Sequence, residues 1–291
     1  MRRTFRILAI LFGSLAIAAE APDQALAIMT KVAANTTAAT DARCQYVYQQ
    51  RVRARMSHPN GQLLRKETRE YKVVPQESTT EKTLVSFSGE YRDGKIMAPY
   101  SQPGVKDKGD EGDREEIQRL VDDLVNAKGT RDGIPRTLFP LRAEEFEYYK
   151  FSLKGEATLR ERRTCDILFE PADMHGLCVH VGGDEENTCH QWKGEAWIDA
   201  EDYQPVKIET QLAKKIPRAV QVLTGINVRQ YGFSINYERV AENVWFPVSY
   251  GTEYGLTVFW GYKRKIALAM ENNDFRKTGA SSIIHYDLPQ E

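Results

Sequence analysis

Apolar and polar residues alternate with period two along most of this chain, and helical spacing interrupts the alternation at two places. The clearest stretch is Gly194 to Glu209, GEAWIDAEDYQPVKIE. Trp192, Gly194, Ala196 and Ile198 fall on one face of a strand, and Lys193, Glu195 and Trp197 on the other. An Asp-Ala-Glu-Asp turn follows, then a returning strand through Val206 and Ile208. Pro205 can donate no ladder hydrogen bond, so it belongs at the start of that strand or on an edge.

Upstream, Leu26, Met29, Val32 and Ala33 are spaced as one face of a helix from about 22 to 40. A long hairpin comes next: Gln45 to Met56, a Pro59-Asn60-Gly61 turn, and Leu63 to Val74. Tyr46, Tyr48, Val52 and Met56 share one face. Arg51, Arg53 and Arg55 share the other, which reads as a solvated face, and a two-residue turn would set Arg51 near Glu70. A third strand is expected from Thr83 to Tyr91, before an Arg92-Asp93-Gly94 turn. Residues 99 to 114 are rich in Gly, Pro and charge and read as a mobile loop. Glu115 to Ala127 is the second helix, with Ile117, Leu120, Val121 and Leu124 on its stripe and Asp113 as its expected N-cap. Further strands are expected at 145–154, 158–170, 176–182, 189–199, 205–213, 229–239, 244–251, 255–262 and 264–270.

The N-terminus adds an address. Arg2, Arg3 and Arg6 precede a thirteen-residue apolar run, Ile7 to Ala19, with Ala16-Ile17-Ala18 as an A-x-A cleavage site and Ala19-Glu20-Ala21 as a second. Thirteen residues fall short of the roughly 20 needed to span a bilayer, so residues 1–21 read as a signal peptide and 22–291 as one exported domain. Arg2-Arg3-Thr4-Phe5 also resembles a twin-arginine export motif. The first cysteine is Cys44, which excludes lipid attachment at the cleavage point. Removing the three signal arginines takes the net charge from −1 to about −4, which gives no reason to expect nucleic acid as a partner. A content of 41% hydrophobic residues suits a folded core rather than disorder.

The exported N-terminal helix leading into a long strand, the mid-chain helical insertion and the G-x-A-W-I-D-x-x-D-Y-x-P-V-K-I-E hairpin resemble the LolA-like proteins. These are the periplasmic carriers and sorting proteins for outer-membrane lipoproteins, with related lipid-binding proteins. The motif match is best from about Trp192 to Trp260. The resemblance implies a mainly β, α+β fold: a strongly curved antiparallel sheet, or half-open β-barrel, of about 10–12 strands. Helices from the N-terminus and mid-chain would cover its concave face, over an apolar cavity that takes acyl chains.

The residues support such a cavity on their own account. An apolar sheet face must be covered, and two amphipathic helices are little cover for some ten strands. A face left partly uncovered offers a site for an apolar partner. The wall candidates are Tyr46, Tyr48, Val52, Met56, Phe87, Ile198, Val206, Ile208, Phe233, Ile235, Tyr237, Phe246, Val258 and Trp260, with Leu120 and Leu124 on a covering helix held only by packing. Alternating apolar residues also simply fill cores, and that reading stays open for each of them.

Four cysteines in an exported chain suggest two disulfides, Cys178 with Cys189 across a hairpin loop and Cys44 with Cys165. A metal site built from His175, Cys178, His180, Cys189 and His190 is the alternative, although its spacing matches no established finger. No G-x-S-x-G, H-E-x-x-H or P-loop is present. The expectation is therefore a monomeric, non-enzymatic periplasmic protein with no cofactor. It would bind a lipid or an acylated lipoprotein in a carrier or sorting role, with membrane proteins as donor or acceptor. The alternatives are a metal-binding redox protein and an envelope-stress sensor module of the same fold.

Overall fold

The computed structural model of the chain describes residues 21–76, 79–126, 131–135, 142–172, 192–213, 226–229, 231–258 and 261–278. The signal sequence to residue 20, the expected strand at 176–182, Cys178, Cys189, His175, His180, His190 and Trp260 lie outside the described residues.

The period-two alternation folds as a single antiparallel sheet. Its first four strands are β1 (Tyr46–Ser57), β2 (Leu63–Pro75), β3 (Thr80–Asp93) and β4 (Ile96–Tyr100). The rest are β5 (Tyr149–Leu159), β6 (Arg162–Pro171), β7 (Trp192–Asp199), β8 (Pro205–Leu212), β9 (Ile226–Arg229), β10 (Phe233–Ala241), β11 (Val244–Val258) and β12 (Tyr262–Lys277). The order across the sheet is β4-β3-β2-β1-β12-β11-β10-β8-β7-β6-β5, with β9 pairing β11. The chain thus starts at the middle of the sheet, walks out to β4, crosses to the far edge and walks back until β12 pairs β1. The sheet is curved and does not close, the half-open barrel that the sequence leads one to expect. Helix α1 (Ala21–Arg43) precedes β1, and α2 (Glu111–Val125) lies in the crossing.

Hairpin chemistry sets the first register. Gly61 takes a left-handed φ of +88° and donates its N–H to the His58 carbonyl, while the Asn60 side chain accepts from Gln62 N–H. The resulting pairing puts Arg51 opposite Glu70, and the two form an exposed ion pair. The inner face of β1 buries Tyr46, Tyr48, Val52, Ala54 and Met56, and Ile266, Leu268 and Met270 of β12 continue the floor. Ile208, Ile235 and Phe246 extend it toward the far half of the sheet.

Several elements differ from expectation for local reasons. Helix α2 begins at Glu111, not Glu115, because Asp110 supplies the N-cap and accepts from the N–H of Asp113 at 3.1 Å. Asp113 is thereby free for a partner in the sheet. Leu26 is exposed, and α1 buries Ala25, Ile28, Met29, Val32 and Ala33 instead. The two strands expected at 244–251 and 255–262 are one continuous β11, which pairs β10 over its first half and β9 over its second. Residues 143–148 form a 3₁₀ turn ahead of β5 where a strand was expected.

Cys44 and Cys165 are free thiols. The bridge expected between them is not made: Cys44 precedes β1 and Cys165 lies on β6, with five strands between those two in the sheet. Burial raises the pKa of both thiols. Alkylation of the denatured, unreduced chain should label Cys44 and Cys165; peptide mapping that finds them linked would contradict this strand order.

Candidate functional site

The inner face of the sheet is the floor on which the wall residues meet. Tyr46, Tyr48, Val52, Met56, Ile198, Val206, Ile208, Phe233, Ile235, Tyr237 and Phe246 all join one contiguous core cluster. Leu124 of α2 is buried in the same cluster, while Leu120 and Val258 pack against it half-buried. Phe87 stands apart on β3, half-buried beside Tyr100 at 5.5 Å between ring centroids. Helix α1 covers the β5 and β11 side of the floor and α2 covers β1 and β2. Their stripes, Met29 and Val32 from α1 with Ile117 and Val121 from α2, are fully buried.

Packing is only part of what seats α2. On the inner face of β2 the alternation runs Arg65, Glu67, Arg69, Tyr71, Val73, so three charged side chains lie where apolar ones would be expected. Arg69 chelates Glu67 Oε2 through Nε and Nη2 at 2.9 and 2.6 Å, both side chains being 2% exposed. The same guanidinium reaches up to α2, donating to Gln118 Oε1 at 2.8 Å and to Asp122 Oδ1 at 3.2 Å. At the start of the helix, Asp113 accepts from Arg264 Nε at 2.6 Å and from the Tyr262 hydroxyl at 2.7 Å, both on β12. At its end, Lys82 Nζ of β3 donates to the Val125 carbonyl at 2.7 Å, where the helix dipole is negative. Helix α2 therefore crosses the floor from β12 to β3 and is tied down by a sheet cation near each end and in the middle.

The segment entering α2 is tied as well. Asp107 takes two hydrogen bonds from Arg65 Nη2, at 2.7 and 2.9 Å, with both side chains buried. Residues 99–114, expected to be a mobile loop, are thus anchored to the sheet. Their fixed geometry leaves a surface cleft of about 520 Å³, lined by Tyr91, Pro99, Tyr100, Ser101, Val105, Lys106, Asp107 and Lys108. Tyr100 folds its ring over Gly89, its pairing partner on β3, where a Cβ would stand 2.3 Å from the ring. That close approach lets its hydroxyl donate to Glu67 Oε1 at 2.6 Å. Burial, then the bond to Glu67, raises the Tyr100 pKa. Burial lowers the pKa of Lys82 to about 8, only partly offset by Asp132.

These charged residues were missed in the sequence, although Arg-x-Glu-x-Arg-x-Tyr-x-Val places them on the same face as Tyr71 and Val73. That continuity of face was the available signal. The hairpin from Trp192 to Leu212, by contrast, is structural. Asp199 accepts from the N–H groups of Glu201 and Asp202, and Arg162 pairs with both Asp199 and Asp202. The bond from Arg162 and those backbone donors outweigh burial and lower the Asp199 pKa. Trp245 Nε1 donates to Asp202, and Asn35 of α1 donates to its carbonyl, so the acidic turn docks α1 on the sheet.

No family model matches the chain, and no curated protein matches it in sequence. In structure it is similar to a LolA superfamily protein from Nitrosomonas europaea, at 10% identity and a TM-score of 0.33, over 88% of this chain and 94% of that one. It is similar to a DUF1329 family protein from Desulfovibrio piger at 8% identity and a TM-score of 0.36, over 89% and 95%. A putative outer membrane lipoprotein-sorting protein domain from Vibrio parahaemolyticus follows at 11% and 0.33, over 87% and 95%. Among the described residues no group of three or more His, Cys, Asp or Glu is placed to hold a metal ion.

Two outcomes test the seat of α2. Arg69→Met leaves Glu67 buried without its counter-charge and should cost about 3–5 kcal/mol in urea unfolding, and adding Glu67→Met should recover part of that loss. Lys82 gives a pH signature. Its pKa is lower folded than unfolded, so between about pH 8 and 10 the unfolded chain holds a proton that the folded chain has lost, and stability from this group rises with pH. Wild type should therefore gain on Lys82→Met between pH 7.5 and 9.5; unfolding midpoints that keep a constant difference would refute the assignment.

Proposed function

We propose that this protein is exported to the periplasm and binds a lipid or acylated ligand between the inner sheet face and α2, as a non-enzymatic carrier or sorting protein. The observation that carries the reading is the construction of the cover. A fifteen-residue helix with a buried apolar stripe lies across the apolar floor of an unclosed sheet. Its hold on β2, β12 and β3 is largely polar. An entering acyl chain would replace the apolar contacts of Ile117, Val121 and Leu124, while the buried ion pairs of Arg69 and Asp113 keep the helix in register. Ligand burial would recover about 0.8 kcal/mol per CH₂, so long chains would be retained and short ones released.

A second reading, a sensor module that docks a protein partner, is supported by one feature. The Glu81–Ser88 stretch of β3 runs past the end of β4 and pairs with no other described strand on that side, with Leu84 and Val85 exposed. Such an edge can accept an extended peptide as an added strand.

Displacement of a fluorescent acyl probe by fatty acids of rising length separates the two. The carrier reading expects affinity to improve about fourfold per added CH₂ until the site is full. Absence of probe binding, or an affinity indifferent to chain length, would sink it and leave the docking module.

A further inference from the structure

We propose that the cleft between β3, β4 and the segment entering α2 is a binding site for a phosphate-bearing anionic group, which takes the place of Asp107 on Arg65. This deepens the ligand-binding reading and rests on it only where the group belongs to a lipid.

Asp107 lines the cleft, and behind it lies the guanidinium of Arg65, whose hydrogen bonding is unfinished. Arg65 is 1% exposed; its Nη2 is held by Asp107 and the Tyr100 side chain lies against it, while among the described residues Nε and Nη1 are buried with no hydrogen-bond partner. Buried guanidinium donors left without acceptors carry a desolvation cost that an incoming oxyanion would relieve. Burial works against the charge of Arg65, but Asp107 and Tyr100 more than offset it and raise its pKa, so the cation persists. Tyr91 and Tyr100, which form cleft walls, flank the guanidinium at 5.7 and 5.0 Å between its carbon and the ring centroids.

The rim supplies the remaining charge. Lys106 and Lys108 line the cleft and are exposed on either side of Asp107. With Asp107 already matched by Arg65, the unbalanced charge of the cleft is that of the two ammonium groups. A phosphate monoester carries about −1.5 to −2 at neutral pH and offers three acceptor oxygens, enough for both lysines and a guanidinium. A single carboxylate would engage Arg65 and leave the lysines unmatched. The cleft volume of about 520 Å³ accommodates a phosphate and its glycerol-sized ester.

Exchange at Arg65 has a consequence for α2. Asp107 is also held by the Gly109 N–H at 2.8 Å and lies three residues before the Asp110 N-cap. Moving its carboxylate off Arg65 frees the approach to the helix while leaving the contacts of Asp113 and Asp122 in place. Anion binding would thus loosen one end of the cover.

Calorimetric titration of the full mature chain tests this with inorganic phosphate and with soluble dihexanoyl phosphatidic acid. Both should bind the wild type, with the lipid tighter if the site takes a headgroup and the two equal if it takes free phosphate. Lys106→Glu with Lys108→Glu, both exposed, should weaken binding at least about tenfold without loss of fold by circular dichroism. Asp107→Asn should strengthen it, since the internal competitor is gone. Failure of both probes to bind at millimolar concentration, or equal binding by the double lysine variant, overturns the proposal. Acyl-probe binding that survives such a failure leaves the carrier reading intact; phosphate binding without acyl-probe binding confines the failure to the inner face.

Discussion

An antiparallel sheet that curves without closing exposes one apolar face across its whole width, and every other feature of this protein answers that constraint. Closing the barrel would let the strands cover one another. Here β4 and β5 end the sheet on opposite sides, so the floor must be covered from above. The strand order supplies the means. Because the chain leaves the sheet at β4 and re-enters at β5, it has to cross the face, and the crossing carries α2. Helix α1 precedes β1 and covers the β5 and β11 side, so the cover is made of two separately anchored pieces.

Buried charge gives those pieces their positions. Apolar stripes slide over apolar floors with little preference for register, whereas an arginine with a carboxylate partner has one geometry. Arg69, Arg264 and Lys82 meet α2 at successive turns, and Arg43 of α1 pairs with Asp132 while donating to the Trp245 carbonyl. Ion pairs of this kind contribute little net stability against apolar replacements, because desolvation consumes much of the attraction. What they contribute here is a single seat for each helix.

The acidic hairpin turn shows how a recognisable motif can be structural. Its aspartates cap backbone N–H groups, hold Arg162 and receive the Trp245 indole and α1, so the residues that identify the fold are the ones that assemble it. The buried charges that meet α2 and its leading segment lie on the other wing, on β2, where the sequence carries no recognisable motif.

Period-two alternation, the Asn60-Gly61 turn and the Trp197-Ile198-Asp199 hairpin determined much of this protein by themselves: strand identity and the register of Arg51 against Glu70. These are local signals, fixed by backbone geometry and by which side of a pleat a residue occupies. Only the tertiary structure decided which faces were buried under what. Asp113, an expected N-cap, became an ion-pair partner because Arg264 arrives from 151 residues away. Arg65, Glu67 and Arg69 sit on an inner face that their charge alone would assign to solvent, because α2 and its leading segment bring Gln118, Asp122 and Asp107 to meet them. Cys44 and Cys165 stay unpaired because strand order, which no local pattern encodes, sets five strands between β1 and β6. The burial of a charge depends on partners that the chain supplies from a distance, and distance along the chain is what a sequence pattern does not measure.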